Sequence, residues 1–588
     1  MKFTRRALRG IAAAGLLAGA AVLLPGCSHT TGSTTTAMTQ RNTAFGPVIG
    51  NDDSAGTGTL SWKGVPFAGA PVGALRWKAP VDPQSWNTAR PATAFAPACV
   101  QTGRLYGPGL NNRYDATIGS TLGQTLGSED CLYLNVWAPA APTATPRPVI
   151  VWVHGGSNIT GYTADPVYDG AKLARSADAV VVSVNYRLGI FGFLNLAQLK
   201  PGNPADDSGN FALLDLVKAL EFVQRNIASF GGDPGRVTLM GQSAGAVNVY
   251  ALMTSPMLAG KSPQLFHRVA ALSGGLSTAA SLPPGSIPGV LPQAVWATRG
   301  QALLTQSLIA DGTAADDAAA KAYLAGRTAQ QVADYLRGKS ADALLTTVRT
   351  RLTPLGMAAS NPIPDGMVVA ADPIAAVRAG RYVKAPLLAG STRDETKLFP
   401  QLFAIRPNLG GVSGRLLDDA AVFSLAFKYI PEGPPSTRVE EWIPAAYLPV
   451  GTPATGFNAR AQELNRIWFM AIRDDMLAAL RQQQSPAWLY EFDWDELPKP
   501  FDDIFGAAHA FDLPFVFGNF GSSLFSNISF TQANAPGRVA LSGAMMASLG
   551  AFARNGDPNH AALGTAWQPW PARIVFDATP EAARIAPR

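Results

Sequence analysis

The sequence predicts an α/β fold in which a large, mostly parallel central sheet carries helices on both faces. Apolar runs of strand length recur along the chain, and segments with helical spacing lie between them. The runs are continuously apolar instead of alternating, which is typical of strands that are covered on both faces. The candidate strands are residues 148–153, 179–184, 236–240, 269–272, 385–389 and 487–492.

The segments between these strands predict the helices. Residues 211–230 place apolar side chains three and four positions apart, which predicts a helix that joins two strands in a β-α-β unit. The Ala-rich stretch 314–350, with possible N-caps at Thr328 and Ser340, predicts short surface helices. Because no low-complexity linker divides the chain after the N-terminal region, residues 44–588 are expected to form one domain.

The composition excludes several classes of protein. Of the 588 residues, 47% are hydrophobic and 15% are charged, and this balance rules out a disordered chain. The formal net charge is +6, but Lys2, Arg5, Arg6 and Arg9 all lie in the first ten residues. The rest of the chain is close to neutral, so no nucleic-acid partner is expected.

Residues 1–26 predict a secretory leader. A basic start is followed by an apolar run that is too short to span a bilayer as a helix. Residues 24–27 resemble a bacterial lipobox, in which Cys27 becomes acylated, although Pro25 departs from the usual small residue. The Ser- and Thr-rich residues 27–43 predict a flexible tether.

This leader determines the expected location of the protein. We expect an exported lipoprotein, anchored at the cell envelope on the periplasmic or outer-membrane face, or a secreted protein if the leader is cleaved elsewhere. Contact with a membrane is then expected only through the N-terminal lipid.

The chain contains three cysteines, which is too few for a Cys-rich metal site. If Cys27 carries lipid, Cys99 and Cys131 remain, and disulfides persist in exported proteins. A bridge between them would close a loop of about 30 residues and stabilise the fold by about 3–4 kcal/mol. The other interpretation is two buried free thiols.

The segment 236–245 is a strand that runs into Gly-x-Ser-x-Gly, followed by the helical stretch 246–253. Chance alone predicts roughly 0.3 such pentapeptides in this composition, so the context decides its meaning. A sharp strand-to-helix turn exposes the hydroxyl of Ser243, and the flanking Gly241 and Gly245 let the backbone make that turn. Ser243 is therefore the candidate nucleophile, with a helix N-terminus behind it that favours developing negative charge.

A second glycine cluster, residues 154–157, follows the candidate strand 148–153 directly. A glycine-rich loop at this position can direct backbone N–H groups at an oxyanion, and the N–H of Ala244 is a further donor. The alternative is an ordinary tight turn after a strand.

A general base is sought among five histidines. His29 lies in the tether, His154 precedes the glycine loop, His267 precedes a strand, and His560 lies near the C-terminus. His509 lies in a loop after all the candidate strands, where the chain order serine, acid, histidine places the base. It is the leading candidate by elimination.

Several ordered motifs accompany the serine turn: Gly-Val-Pro-Phe-Ala at 64–68, Ser-Glu-Asp-Cys-Leu-Tyr-Leu-Asn-Val at 128–136, Asn-Tyr-Arg-Leu-Gly at 185–189, Phe-Gly-Gly-Asp-Pro at 230–234 and Phe-Ala-Arg-Asn-Gly-Asp-Pro at 552–558. Together they resemble the type-B carboxylesterases, the α/β-hydrolase family that includes para-nitrobenzyl esterases and cholinesterases. The resemblance extends from about residue 62 to residue 570.

The resemblance implies a role for each candidate residue. Ser243 would be the nucleophile, His509 the base and Glu395 the triad acid, with the adjacent Asp394 as the alternative acid. Ser273 matches a serine that lies near the triad in this family, and a plain strand-end hydroxyl is an equal alternative.

The backbone N–H groups of Gly156, Ser157 and Ala244 would form the oxyanion hole. Cys99 and Cys131 would form the disulfide of the family's early loop. No metal or organic cofactor is implied.

The implied activity is hydrolysis of small-molecule carboxylic esters, of short to medium chain or with aryl groups, through an acyl-enzyme. The alternatives are a non-catalytic adhesion or binding module on the same fold, an amidase or carbamate hydrolase, and a lipase. Residues 276–310 and 400–460 are expected to shape the mouth of the pocket. Nothing in the sequence indicates an oligomeric state.

Three departures from the family pattern bear on the substrate. Ser157 stands where a third glycine is usual, and Gln242 replaces a common acidic residue before the nucleophile. Thr396 replaces a glycine that often follows the acid. Because Gln242 removes an anion and no Trp lies between the two cysteines, a choline ester is not expected.

Overall fold

The computed structural model describes residues 38–399, 418–483, 486–523 and 526–588. Thr39–Arg588 form one compact unit. Its strands are β1 (Gln40–Thr43), β2 (Gly46–Ile49), β3 (Asn51–Asp53), β4 (Thr59–Pro66), β5 (Arg90–Pro91), β6 (Gln101–Thr102), β7 (Thr125–Leu126), β8 (Tyr133–Pro139), β9 (Arg147–Val153), β10 (Val180–Val184), β11 (Gly232–Gln242), β12 (Arg268–Leu272), β13 (Leu387–Thr392), β14 (Ala487–Phe492), β15 (Ile574–Ala578) and β16 (Ala583–Pro587).

An 11-stranded sheet forms the centre, in the order β16-β15-β14-β13-β12-β11-β9-β10-β8-β4-β3. Neighbouring strands are parallel from β10 through β9 and β11 to β15. They are antiparallel at the two edges, from β10 through β8 and β4 to β3 and between β15 and β16. The predicted α/β architecture with a mostly parallel sheet is confirmed.

The α-helices are α1 (Ile118–Thr121), α2 (Ala171–Ala177), α3 (Gly189–Gly192), α4 (Pro204–Asp207), α5 (Phe211–Asn226), α6 (Ala244–Met253), α7 (Gln293–Ala310), α8 (Asp317–Ala325), α9 (Ala329–Gly338), α10 (Ala341–Thr347), α11 (Pro373–Arg378), α12 (Asp419–Phe427), α13 (Val439–Trp442), α14 (Phe457–Asn465), α15 (Ala471–Arg481), α16 (Phe501–Ile504), α17 (Leu513–Phe517), α18 (Ser526–Ser529) and α19 (Ala535–Asn555). Short 3₁₀ turns are Gly73–Leu75, Leu110–Asn112, Pro166–Tyr168, Ala197–Leu199, Ile227–Phe230, Thr353–Leu355, Glu395–Leu398, Ala445–Tyr447 and Ala561–Leu563, and π turns are Val348–Leu352 and Arg466–Met470.

The helices cover both faces of the sheet, as the continuous apolar runs predict. Alternate residues of β9 enter different hydrophobic clusters. Val149, Val151 and Val153 pack with residues of α5 and α6 on one face. Ile150 and Trp152 pack with residues of α2 and α19 on the other face. Since side chains alternate across a strand, a strand buried on both faces must be apolar at every position.

Several local predictions are confirmed with shifted boundaries. The linking helix begins at Phe211 as expected and ends at Asn226, where a 3₁₀ turn continues to Phe230. Thr328 and Ser340 both accept a backbone N–H as N-caps of α9 and α10.

The predicted tether ends too late in the chain. Gln40–Thr43 form β1, which pairs antiparallel with β2. The folded part therefore begins before residue 44, because these polar residues use their backbone in a strand. The predicted leader 1–26, the lipidation site Cys27 and the tether up to residue 37 lie outside the described residues. Along the described ranges, no helix is long and apolar enough to cross a membrane.

Cys99 and Cys131 form a disulfide, which confirms that prediction. Both residues are buried, and the bridge closes a loop with a sequence separation of 32. Loop closure of this length stabilises a fold by about 3–4 kcal/mol in the chain-entropy model. The bridge thereby closes the loop that carries Tyr106 and Tyr114.

Candidate active site

Ser243 lies at the sharp turn between β11, which ends at Gln242, and α6, which begins at Ala244. Its backbone has φ 57° and ψ −125°, a left-handed conformation that costs a non-glycine residue about 1–3 kcal/mol. The Ser243 N–H donates to the carbonyl of Leu272 at 2.8 Å, which anchors the turn to β12. The turn leaves the serine partly exposed at the carboxyl edge of the sheet.

The two glycines of the pentapeptide are required by close packing. A Cβ at Gly241 would lie 2.5 Å from the carbonyl oxygen of Gly245. A Cβ at Gly245 would lie 2.2 Å from the carbonyl oxygen of Val153. Both distances are too short for any side chain, so α6 can approach β9 only with glycine at these positions. The elbow predicted from the sequence is present.

His509 and Glu395 are joined by a hydrogen bond from Nδ1 to Oε2 at 2.5 Å. Glu395 is fully buried, and its Oε1 accepts the backbone N–H of Thr392 at 2.8 Å. An ionised carboxylate can only accept, so this contact assigns the proton of a neutral imidazole to Nδ1. Nε2 is then free to accept a proton, as a general base requires.

Asp394, the alternative acid, faces a different set of groups. Its Oδ2 accepts from Arg393 Nε at 2.9 Å and from the backbone N–H of Ala507 at 3.2 Å. Its Oδ1 lies 3.5 Å from Lys397 Nζ. The structure therefore brings Glu395, and not Asp394, to His509.

Gln242 makes a contact with the imidazole that the sequence did not reveal. Its side-chain Nε2 lies 3.0 Å from His509 Nε2. With the proton on Nδ1, the amide donates to the lone pair of Nε2. Among the described residues, the Ser243 hydroxyl has no hydrogen-bond partner, although Ser243, Gln242 and His509 line one cavity. Ser243 and His509 therefore share no hydrogen bond in this structure, and apo active sites often show loose geometry of this kind.

The loop after β9 takes an unusual backbone path. Gly156 has φ 101°, and Ser157 and Asn158 follow with φ 55° and 58°. A Cβ at Gly156 would lie 2.1 Å from the carbonyl oxygen of Thr160, so only glycine fits there. The backbone of Ser157 adopts a left-handed conformation, which is costly for a residue other than glycine.

Three backbone N–H groups close to Ser243 in the chain or in the same cavity have no acceptor in the described residues. In the part of the chain that the structure describes, the N–H groups of Gly156, Ser157 and Ala244 donate to no protein acceptor. Gly155 packs against the serine itself, since a Cβ there would lie 3.0 Å from Ser243 Cβ. Unsatisfied N–H donors beside a nucleophile can bind the negatively charged oxygen of a reacting carbonyl, as in an oxyanion hole.

Ser273 lies directly after β12 with φ 54°, and its N–H donates to the carbonyl of Gly390 at 2.8 Å. Its hydroxyl is buried and has no hydrogen-bond partner within the described ranges. The next residue, Gly274, approaches the elbow, because a Cβ there would lie 2.9 Å from the Ser243 carbonyl oxygen. The backbone of Ser273 thus joins the end of β12 to β13, and in the described ranges its hydroxyl makes no hydrogen bond with Ser243, His509 or Glu395.

Other groups around His509 were missed by the sequence analysis. The rings of Phe399 and Phe469 lie 5.1 Å from the imidazole, and both come from segments without a motif. Asp512 Oδ2 accepts from Tyr490 at 2.7 Å, and burial raises the pKa of Asp512 to about 6, with the charge of Glu395 adding to the rise. Because Asp512 lies three residues after His509 in the chain, its sequence position could have identified it as a neighbour of the imidazole.

Two cavities meet at the glycine loop. The smaller, of about 100 Å³, is lined by Ser243, Gln242 and His509. The larger, of about 260 Å³, is lined mainly by apolar side chains, with Arg104, Lys397 and Asp419 as its charged lining residues. Gly156 and Ser157 line both. Residues from the predicted mouth segment 400–460 that line the larger cavity are Asp419, Val422, Ala426, Trp442, Ile443 and Phe457.

The other predicted mouth segment, residues 276–310, lines neither of these cavities. That prediction is wrong for the described cavities. Residues 293–310 of this segment form α7, whose buried side chains pack into hydrophobic clusters. Among the described residues, no group of three or more His, Cys, Asp or Glu could hold a metal ion.

A partly exposed serine on a strand–helix elbow, beside a histidine paired with a buried carboxylate, is the arrangement of serine hydrolases with the α/β-hydrolase fold. The sequence profile of the carboxylesterase family matches residues 37–574. Para-nitrobenzyl esterase of Bacillus subtilis (strain 168) is 31% identical over 533 residues, which cover 90% of this chain and 91% of that protein.

Human carboxylesterase 3 is 31% identical over 570 residues, which cover 95% of this chain and 89% of that protein. A crystal structure of a Geobacillus stearothermophilus carboxylesterase matches with a TM-score of 0.66 and 28% identity, covering 93% of this chain and 98% of that chain. The chain belongs to the carboxylesterase family. It is a type-B carboxylesterase that hydrolyses carboxylic esters.

These comparisons give no support to the other interpretations of the sequence, namely a non-catalytic binding module, an amidase or carbamate hydrolase, and a lipase.

Replacing Gln242 with Glu is expected to change the pH dependence of the enzyme. A carboxylate beside Nε2 favours the charged imidazolium over the neutral base, and a nearby charge of this kind shifts a titration by about 1–3 units. The acidic limb of the kcat/KM profile should therefore move to higher pH, measured with p-nitrophenyl acetate between pH 5 and 9.

Gln330→Glu, on an exposed helix far from the cavity, is the control for an added charge. An acidic limb that stays at the same pH in Gln242→Glu would show that Gln242 does not contact the working imidazole.

Proposed function

We propose that Ser243, His509 and Glu395 form the catalytic triad of this esterase and that catalysis proceeds through an acyl-enzyme. The observation that carries the proposal is the hydrogen bond between His509 Nδ1 and the buried Glu395, beside an elbow serine in the same cavity. Three segments that are distant in the chain supply these groups at the carboxyl edge of one sheet.

In the first half-reaction, the Ser243 hydroxyl attacks the ester carbonyl and His509 Nε2 takes its proton. Glu395 stabilises the resulting imidazolium through Nδ1. His509 then gives this proton to the leaving alcohol as the C–O bond breaks, which leaves Ser243 acylated. In the second half-reaction, His509 takes a proton from water as the water attacks the acyl carbon. His509 then gives this proton to Ser243 as the acyl–oxygen bond breaks, which releases the carboxylic acid and frees the serine.

In both half-reactions a tetrahedral intermediate forms whose oxygen carries a negative charge, and this oxygen requires hydrogen-bond donors. The N–H groups of Gly156, Ser157 and Ala244 lack acceptors in the described residues, which supports their assignment as the oxyanion hole. Removing one donor of such a hole typically slows an enzyme about 10²–10³-fold. The strained backbone at Ser157 is consistent with a loop that is held in place for this purpose.

The two cavities suggest where each half of the ester binds. The leaving alcohol must stay within reach of His509, which lines the smaller cavity. The acyl group then extends past Gly156 and Ser157 into the larger cavity of about 260 Å³. Ligand pockets usually measure about 300–1,000 Å³, so cavities of this size favour short- to medium-chain or aryl esters.

Ser243→Ala should lose activity on p-nitrophenyl butyrate by about 10⁴-fold or more, because the nucleophile is removed. It should also no longer be labelled by a fluorescent organophosphonate, as detected on a gel. Ser307→Ala, a buried serine on α7 outside both cavities, is the matched control and should be labelled like the wild type. Wild-type turnover in Ser243→Ala would rule out the proposed nucleophile.

Glu395→Gln and Asp394→Asn separate the two neighbouring acids. Glu395→Gln removes the acceptor that fixes the imidazole tautomer, so kcat should fall about 10³–10⁴-fold. Asp394→Asn weakens the contacts with Arg393 and Lys397 and should lower the melting temperature with a much smaller loss of kcat. Steady-state kinetics and thermal unfolding of both variants measure this contrast, and the reverse pattern would identify Asp394 as the acid.

We also propose that the protein is exported and anchored by lipid on Cys27. A basic, apolar leader that ends at a cysteine supports this. Cells grown with an alkyne-tagged fatty acid should label the wild type but not Cys27→Ser, and that variant should leave the membrane fraction. Ser28→Ala is the control. Cys27→Ser that remains in the membrane fraction would point to an uncleaved leader instead.

A further inference from the structure

The backbone of the oxyanion loop, residues 156–158, is strained at two consecutive positions. Ser157 and Asn158 have left-handed φ angles of 55° and 58°, which residues other than glycine rarely adopt. Asn tolerates this region better than most residues do, whereas Ser157 depends on contacts around it. Strain of this kind persists only where the surrounding structure holds the backbone in place.

The side chain of Asn158 is fully buried and forms a reciprocal pair with Asn248. Asn158 Oδ1 accepts from Asn248 Nδ2 at 2.8 Å, and Asn158 Nδ2 donates to Asn248 Oδ1 at 3.3 Å. Asn248 is also fully buried and lies on α6, the helix that begins at Ala244 directly after the elbow serine. The pair therefore connects the oxyanion loop to the elbow helix.

Two further contacts complete the hydrogen bonding of the Asn158 side chain. The Tyr186 hydroxyl donates to the carbonyl of His154 at 2.8 Å and lies 3.3 Å from Asn158 Oδ1. Asn158 Nδ2 also donates to Asn361 Oδ1 at 3.4 Å. Because a side-chain amide offers two acceptor sites and two hydrogens, each of them has a partner here. Burial raises the pKa of Tyr186 well above its usual value, so its hydroxyl keeps the proton that it donates.

The backbone of the oxyanion loop is held as well. The Asn158 carbonyl accepts the N–H of Gly189, the first residue of α3, at 2.6 Å. The Gly156 carbonyl accepts the N–H groups of Ile159 and Thr160 at 3.0 and 3.1 Å. The partners of the loop thus come from two helices and from further segments of the chain, and together they fix its path.

The asparagine pair joins the two parts of the oxyanion hole. The N–H groups of Gly156 and Ser157 belong to the loop, whereas the N–H group of Ala244 belongs to α6. Asn248 follows Ala244 by one helical turn and lies on the same face of the helix. Within the described ranges, the residues that line the two cavities do not include Asn158 or Asn248, so this pair can act only through the residues that it holds.

We propose that Asn158 and Asn248 are positioning residues, whose amide pair keeps the N–H groups of the loop aligned with the Ala244 N–H on one oxyanion. The inference rests on the proposed function, since it requires the oxyanion hole assigned there. Donors that are fixed before the reaction stabilise the charged intermediate without rearrangement during it. Loss of the pair should therefore weaken binding of the tetrahedral intermediate and leave binding of the ester nearly unchanged.

Asn158→Gly and Asn248→Ala remove the pair from either side. Glycine adopts left-handed angles freely, so Asn158→Gly removes the amide without adding backbone strain. Each variant should lower kcat for p-nitrophenyl butyrate by about 10–100-fold, less than the loss of a complete donor, and change KM by less than about threefold. Because the two amides act together, the double variant should be at most about threefold slower than the slower single variant.

A pair of ketone inhibitors reports on the oxyanion hole itself. In 1,1,1-trifluoro-4-phenylbutan-2-one the Ser243 oxygen adds to the carbonyl carbon, His509 takes the hydroxyl proton, and the carbonyl oxygen becomes an anion. The parent ketone 4-phenylbutan-2-one binds without forming this bond. The wild type should bind the fluorinated ketone about 10²-fold more tightly or better, and in both variants this ratio should fall by about the same factor as kcat. A ratio of two inhibition constants does not depend on the fraction of a variant that folds.

Asn226→Ala is the control, because it removes another buried amide from a helix. Asn226 ends α5 and accepts the N–H of Ala44 at 2.6 Å, so its loss should lower the melting temperature and leave the inhibitor ratio unchanged. Either of the two pair variants with the wild-type ratio, a loss confined to KM, or losses that multiply in the double variant would overturn the positioning role. A wild type that binds both ketones equally, or a Ser243→Ala variant that still hydrolyses the ester, would instead overturn the proposed function.

Discussion

The hydrogen bond between His509 and Glu395 is the interaction on which the site depends. It joins the turn after β13 to the loop before α17, two segments that are distant in the chain. Glu395 is fully buried, and a buried carboxylate without a partner would destabilise the fold by several kcal/mol. The pair with His509 therefore holds the two loops together and also orients the imidazole. The order in which the parallel strands end at one edge of the sheet makes the meeting possible.

Close backbone packing places the serine opposite that pair. Gly241 and Gly245 allow β11, β9 and α6 to approach within distances that exclude any side chain, and Gly156 does the same for the neighbouring loop. The result is an elbow that holds the serine backbone in a strained conformation, next to three N–H groups that have no acceptor in the described residues. Strain and unmet hydrogen-bonding capacity are concentrated where the reaction needs them, and the surrounding two-faced core supplies the stability.

Two unlike cavities meet at the site. The larger is lined mainly by apolar side chains, and its Lys397 is paired with Asp394. The smaller is lined by Ser243, Gln242 and His509 among others. Under the proposed function the acyl group lies in the larger cavity and the leaving alcohol in the smaller one. The glycine loop between the cavities serves both.

The sequence by itself determined the six parallel strands β9 to β14, the serine elbow and the leading histidine, because continuous apolar runs, glycines at a sharp turn and a scarce residue type are local signals. It missed the buried β4 and β8, and it missed β15 and the edge strand β16, which are less buried and lack a continuous apolar run. Only the tertiary structure chose Glu395 over Asp394, since consecutive side chains point in different directions and their partners come from elsewhere. The contact of Gln242 with His509 was decided in the same way, by residues distant in the chain.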